Sequence, residues 1–124
     1  MKLVDTNVIL RYLLKEPPDQ AQKAKAVIEA GAFTTMEVMA EVVYVLQKVY
    51  LIDREKISSA VITIAAELSF DEYDILVFAL ELFQSRNLDF VDCVLAARSV
   101  LKQEDVFTFD KKLKSTIAAF TKPF

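Results

Sequence analysis

Met1-Lys2-Leu3-Val4-Asp5-Thr6-Asn7 is the stretch whose reading decides the fold. A short apolar run, Leu3-Val4, meets a carboxylate and two small polar residues, and an apolar-periodic segment follows over 8–14. That order predicts a buried strand ending at Asp5 and then a helix capped by Thr6 or Asn7. Asp5 then stands at the carboxyl end of a strand, where open α/β sheets place their ligands. Taken alone the junction has two readings, because an Asp there also serves as a helix cap. A ligand role requires other carboxylates to return to the same place.

Working outward, the first helix ends near Glu16-Pro17-Pro18, a strong breaker. Asp19 is placed to cap a helix over 20–30, which stops at Gly31, the only glycine. Ala32-Phe33-Thr34 is a brief strand, and a long helix over 36–50 is apolar around most of its circumference, which predicts deep burial. Asp53 opens a helix to about residue 68, and helices follow over 74–86 and from Asn87-Leu88-Asp89 to about residue 102. Asp105-Val106-Phe107-Thr108-Phe109 reads as the best strand after the first, with Asp110 at its end. The tail over 117–124 leaves room for one edge strand at no fixed position, since Pro123 is tolerated there. Helices alternating with short apolar strands predict a three-layer α/β/α sandwich around a short parallel sheet.

At 124 residues the chain is expected to form one domain over 1–124. A single cysteine, Cys93, excludes a disulfide framework, and the absence of histidine excludes His-based acid–base catalysis. Met1 leads directly into the first strand, so no signal peptide is expected, and no apolar run is long enough to span a bilayer. The expectation is a cytoplasmic protein. A formal charge of -3 argues against a generic nucleic-acid coat while leaving room for local phosphate contacts.

Chemistry must then rest on carboxylates, hydroxyls, Lys, Arg or Tyr. On the long helix Glu37, Glu41 and Lys48 form a polar stripe. Thr34-Thr35-Met36-Glu37 fits a capping box that occupies Glu37 locally. Glu41 lies among Ala40, Val42 and Val43 with no cation three or four residues away, either an exposed position or a functional carboxylate in apolar surroundings. Asp89 and Asp92 share a first helical turn, as caps or as ligands, and Asp110 repeats the strand-end position of Asp5. If Asp5, Glu41, Asp92 and Asp110 converge, their repulsion needs a cation. Oxygen donors without His or Cys suit Mg²⁺ or Mn²⁺, which suits phosphodiester hydrolysis by an activated water.

The segment Leu3-Val4-Asp5-Thr6-Asn7-Val8-Ile9-Leu10-Arg11-Tyr12 resembles the opening of PIN-domain nucleases. Met39-Ala40-Glu41-Val42-Val43-Tyr44-Val45-Leu46, Leu88-Asp89-Phe90-Val91-Asp92-Cys93-Val94-Leu95-Ala96-Ala97 and Phe107-Thr108-Phe109-Asp110 resemble the other three motifs of that family, in order. The chain looks most like the VapC toxins of prokaryotic toxin–antitoxin pairs. The resemblance implies a Mg²⁺- or Mn²⁺-dependent endoribonuclease whose acidic set maps to Asp5, Glu41, Asp92 and Asp110. It also implies Asp89 as an outer member, with Thr6, Asn7 and Thr108 as supports for the carboxylates. RNA as substrate, a homodimer and a small antitoxin partner follow from the same likeness. Arg11, Lys15, Lys111, Lys112 and Lys114 are candidates to hold the RNA backbone, or solvated surface charges.

Other readings carry less. A dehalogenase-like phosphatase needs a second Asp two residues after the first, and position 7 is Asn. A receiver domain needs an acid pair after its first strand, where this chain has one acid. A housekeeping RNA-processing nuclease and a non-catalytic PIN-fold binding module stand as alternatives. Clustered negative charge gives a phosphate binder nothing, which counts against the last.

Overall fold

The computed structural model describes residues 1–121 and divides the chain into two compact units, Met1–Tyr73 and Asp74–Phe124. The first contains β1 (Lys2–Leu3), α1 (Thr6–Leu14), α2 (Pro18–Glu29), β2 (Ala32–Phe33), α3 (Met36–Lys48) and α4 (Arg54–Glu67). β1 and β2 run parallel, Lys2 opposite Ala32 and Leu3 opposite Phe33, and Ser69 bridges the other side of β2 at Phe33. β2 is therefore the middle of the sheet. The Val4 N–H donates to the Phe33 carbonyl and the Ser69 N–H to the Ala32 carbonyl, both at 2.9 Å. The first strand is less buried than expected: Val4 is 4% exposed but Leu3 is 59% exposed, because successive side chains take opposite faces.

The cap of α1 is Asp5 itself, whose Oδ1 accepts from the Val8 N–H at 3.1 Å; Thr6 and Asn7 are already inside the helix. α2 starts earlier than expected, because Pro18 is pre-set for a first helical position and Asp19 falls into the first turn. It ends before Gly31, whose φ of +101° takes the left-handed role that glycine fills without strain. α3 is capped by Thr35, whose Oγ1 accepts from the Val38 N–H at 3.3 Å, so the expected Thr34–Glu37 capping box is not the cap used. α3 buries one stripe, Met39, Val42, Val43 and Leu46, rather than most of its circumference; Glu37, Glu41, Tyr44 and Lys48 are exposed. Asp53 caps α4 as expected, accepting from the Lys56 N–H at 2.9 Å. α1 packs on α2 and α3, and α3 on α4.

The second unit carries α5 (Tyr73–Ser85, which begins at the boundary residue), α6 (Phe90–Lys102) and α7 (Lys111–Thr121). Its core includes Leu76, Leu80, Phe83, Cys93, Ala96, Ala97 and Leu113, with Phe83 and Phe90 edge to face at 6.1 Å. Residues 105–109, expected to be a strand, form no ladder; Phe107 and Phe109 are each 85% exposed and meet edge to face at 5.3 Å. β-propensity describes a side chain that suits a pleated surface and does not by itself supply a partner strand. The expected edge strand over 117–124 is also corrected, since α7 is helical through Thr121, and residues 122–124 lie outside the described part. Asp110 starts that helix by accepting from the Leu113 N–H at 2.9 Å, and Leu113, Thr116 and Ile117 give it an inward stripe at helical spacing.

Candidate active site

The acids of interest are distributed over both units. In the first, the Asp5 carboxylate is exposed beyond its capping bond to Val8. Its position is set from two directions, by that cap and by the Thr34 hydroxyl, which donates to the Val4 carbonyl at 2.9 Å just before Asp5. Thr34 is a buried support that sequence reasoning misses; its one sequence signal is a threonine directly after a short apolar run. Thr6 is buried and Asn7 exposed in the first turn of α1. Glu41 is exposed on α3, which corrects the expectation of apolar surroundings. Glu41 makes no hydrogen bond or ion pair among the described residues.

In the second unit three acids share one electrostatic environment. Asp89 occupies the N-cap position of α6 without a side-chain capping bond, and Asp92 lies half-buried in the first turn. Burial raises the Asp92 pKa above its ordinary value, and the negative charges of Asp110 and Asp89 raise it further. Asp110 is held by its bond from Leu113, and its own N–H donates to the Thr108 Oγ1 at 3.0 Å. Thr108 thus braces the backbone of Asp110 rather than its carboxylate. No Lys or Arg pairs with Asp5, Glu41, Asp89, Asp92 or Asp110 among the described residues. Nor, among those residues, does any group of three His, Cys, Asp or Glu side chains stand at metal-holding spacing.

Of the basic candidates, Arg11 donates from Nε to Gln20 Oε1 at 2.9 Å, and Lys15 ends α1 in a left-handed conformation at φ 61°. Lys111 and Lys112 open α7. Among the described residues no helix is long and apolar enough to cross a membrane.

The PIN domain family matches residues 2–118 of this chain. The chain belongs to the PIN domain family. Comparison with curated proteins and with solved structures gives no match. The mostly helical chain with its short parallel sheet is a PIN-like α/β fold. PIN domains are generally nucleases, act on RNA and use divalent metals. The donor chemistry here fits that habit: every candidate ligand is a carboxylate, which suits a hard divalent cation. Burial first, and then the charges of Asp110 and Asp89, raise the Asp92 pKa, and a bound cation would oppose both effects.

Proposed function

We propose that this PIN domain is a Mg²⁺- or Mn²⁺-dependent endoribonuclease, the toxin of a toxin–antitoxin pair, with residues 1–124 as one nuclease domain acting in the cytoplasm. The observation that carries the reading is the Asp89, Asp92 and Asp110 group. The charges of Asp110 and Asp89 reach Asp92, and none of the three carboxylates is paired with a cation among the described residues.

In this reading Asp5, Glu41, Asp92 and Asp110 hold the metal and Asp89 tunes the field around Asp92. When bound, the metal supplies the positive charge that lowers the pKa of an attacking water and offsets charge developing on the phosphoryl oxygens. Asp5 and Asp110 enter that role pre-oriented, each with one carboxylate oxygen fixed by a helix N–H. A cation held beside Asp92 would favour its charged form against the burial and the charges of Asp110 and Asp89 that raise its pKa. Cleavage leaves a 5′-phosphate and a 3′-hydroxyl. Exposed Tyr44 on α3, with Val49, Tyr50 and Leu51 after its end, supplies apolar surface for a homodimer mate or antitoxin.

The test is cleavage of labelled single-stranded and structured RNAs by the purified chain in Mg²⁺, Mn²⁺ or EDTA, beside Asp5→Asn and Asp92→Asn. Cleavage in either metal, lost in EDTA and in both variants, supports the reading. Full activity in a folded Asp92→Asn protein overturns the site. A small upstream gene whose product silences cleavage supports the toxin role over an RNA-processing one.

A further inference from the structure

We infer that a cleft in the second unit, between the turn after α5 and the first turns of α7, is a phosphate subsite for the RNA backbone, an inference that rests on the nuclease reading. The cleft has a volume of about 390 Å³ and is lined by Arg86, Asn87, Lys111, Lys112, Ser115 and Thr116, with Leu88 at its base. Three of these side chains are cations and none is an acid. Asn87 and Ser115 add neutral hydrogen-bond donors, so the lining offers two ammonium groups, an amide and a hydroxyl to an anion, beside the charge of Arg86.

The cations are not a random surface scatter. Lys111, Lys112 and Ser115 fall on adjoining positions of α7, at i, i+1 and i+4. Thr116 is buried and donates to the Lys112 carbonyl at 2.8 Å, which leaves Ser115 as the outward-facing hydroxyl of the cleft. The Arg86 guanidinium lies 5.6 Å from the centre of the Phe120 ring, and Phe120 is held edge to face by Phe78 at 5.4 Å. An arginine already stacked on a fixed ring loses less side-chain freedom when it takes up an anion.

The anion's identity follows from what adjoins the cleft in the chain. Asn87 and Leu88 run directly into Asp89, and Lys111 follows directly on Asp110. The two acids whose charges reach Asp92 therefore adjoin the cationic lining in the chain. An acidic peptide gains at the cations and is repelled at the acids. A phosphodiester chain repeats its charge at regular spacing, so a phosphate could rest in the cleft while its neighbour lies toward the acids, where a divalent cation would offset their charge. The cleft has ligand-sized volume, room for a phosphate and its sugar.

The experiment measures binding separately from cleavage. The full chain carrying Asp92→Asn is titrated in EDTA against a fluorescein-labelled single-stranded RNA of mixed sequence, over a range of salt. Adding Lys111→Gln and Lys112→Gln is expected to weaken binding on the order of tenfold and to flatten the salt slope by about 0.7 for each phosphate no longer neutralised. Adding Arg86→Lys, which keeps the charge but loses the fork, is expected to weaken binding several-fold with the slope unchanged. Lys23→Gln with Lys48→Gln, the same charge change at exposed sites of α2 and α3, is expected to leave the affinity as it was. Equal losses from both lysine pairs overturn the subsite, as does no loss from Lys111 and Lys112, whether or not the wild type cleaves RNA. Competition by polyglutamate as strong as by polyphosphate overturns the assignment to phosphate. Loss of cleavage activity as such does not enter the result.

Discussion

The Thr34 hydroxyl and the Val4 carbonyl are bonded across 2.9 Å, and that bond ties β2 to the last residue before Asp5. Both residues are buried, so the carbonyl has no water to fall back on. Thr34→Val keeps the shape and removes the donor. The expected cost is about 1–3 kcal/mol, seen as a fall of several degrees in melting temperature. Thr34→Ser should recover most of it. An unchanged melt in Thr34→Val would mean the bond contributes nothing.

Two carboxylates on and beside α6 should titrate with opposite effects on stability. Burial, then Asp110 and Asp89, raise the Asp92 pKa, so the folded state binds that proton more tightly than the unfolded chain. Metal-free stability therefore falls as pH climbs from the ordinary carboxylate range through the raised value. Asp92→Asn should remove that fall and be the more stable protein at neutral pH. Glu104 is the reverse: paired hydrogen bonds from Arg98 at 2.7 and 2.6 Å hold it below its ordinary value. Its stabilisation is present above the unfolded pKa and is lost as pH falls through the folded one. Glu104→Gln should flatten only that acid arm. Melts in EDTA from pH 3 to 8 read both.

A cation that binds only the folded chain stabilises it by RT ln(1 + [L]/Kd), or roughly 1.4 kcal/mol at tenfold over Kd. Mg²⁺ or Mn²⁺ should then raise the melting temperature by several degrees over NaCl of equal ionic strength, which controls for screening. Asp92→Asn should shrink the response. Equal shifts from both salts in both proteins would make these acids caps alone.

The two glutamates of α3 should separate in function, although both are exposed on one face. Glu41 belongs to the proposed metal set and Glu37 lies in the first turn of α3, so Glu41→Gln should abolish cleavage and Glu37→Gln should keep most of it. The reverse ranking in a cleavage assay would move the site by one turn.

Gln103 ends α6 at φ 57°, a left-handed conformation that costs a non-glycine residue roughly 1 kcal/mol. Gln103→Gly should raise stability by about 0.5–1 kcal/mol in chemical denaturation. A decrease would mean that the Arg98–Glu104 pair, and not the turn, governs that end of the helix.

Much of this is legible in residue order because caps and breakers act locally. Asp53, Pro17-Pro18 and Gly31 mark helix ends through their own backbone chemistry, whatever the rest of the chain does. The family is legible as well, because its ordered motifs lie along the chain that the family model matches. What fails needs knowledge of distant partners. Residues 105–109 carry the valine and phenylalanines that strands favour, yet a ladder requires a second strand that composition cannot name. The expectation for Glu41 fails for a geometric reason: Ala40, Val42 and Val43 are its neighbours along the chain and point around the helix to other faces. The positions that share its face are Glu37, Tyr44 and Lys48, all exposed.

The parallel pairing of Lys2 with Ala32, and of Phe33 with Ser69, has a consequence for the order of folding. Each of those pairings must close a long loop before any ladder bond rewards it, whereas α6 and α7 pack as chain neighbours. The helices of Asp74–Phe124 should therefore acquire exchange protection early in refolding, and the amides of Val4 and Ser69 late. The residue that presents Asp5 would then be among the last to settle, so a nascent chain would carry its Asp89, Asp92 and Asp110 group before the first strand is locked in place.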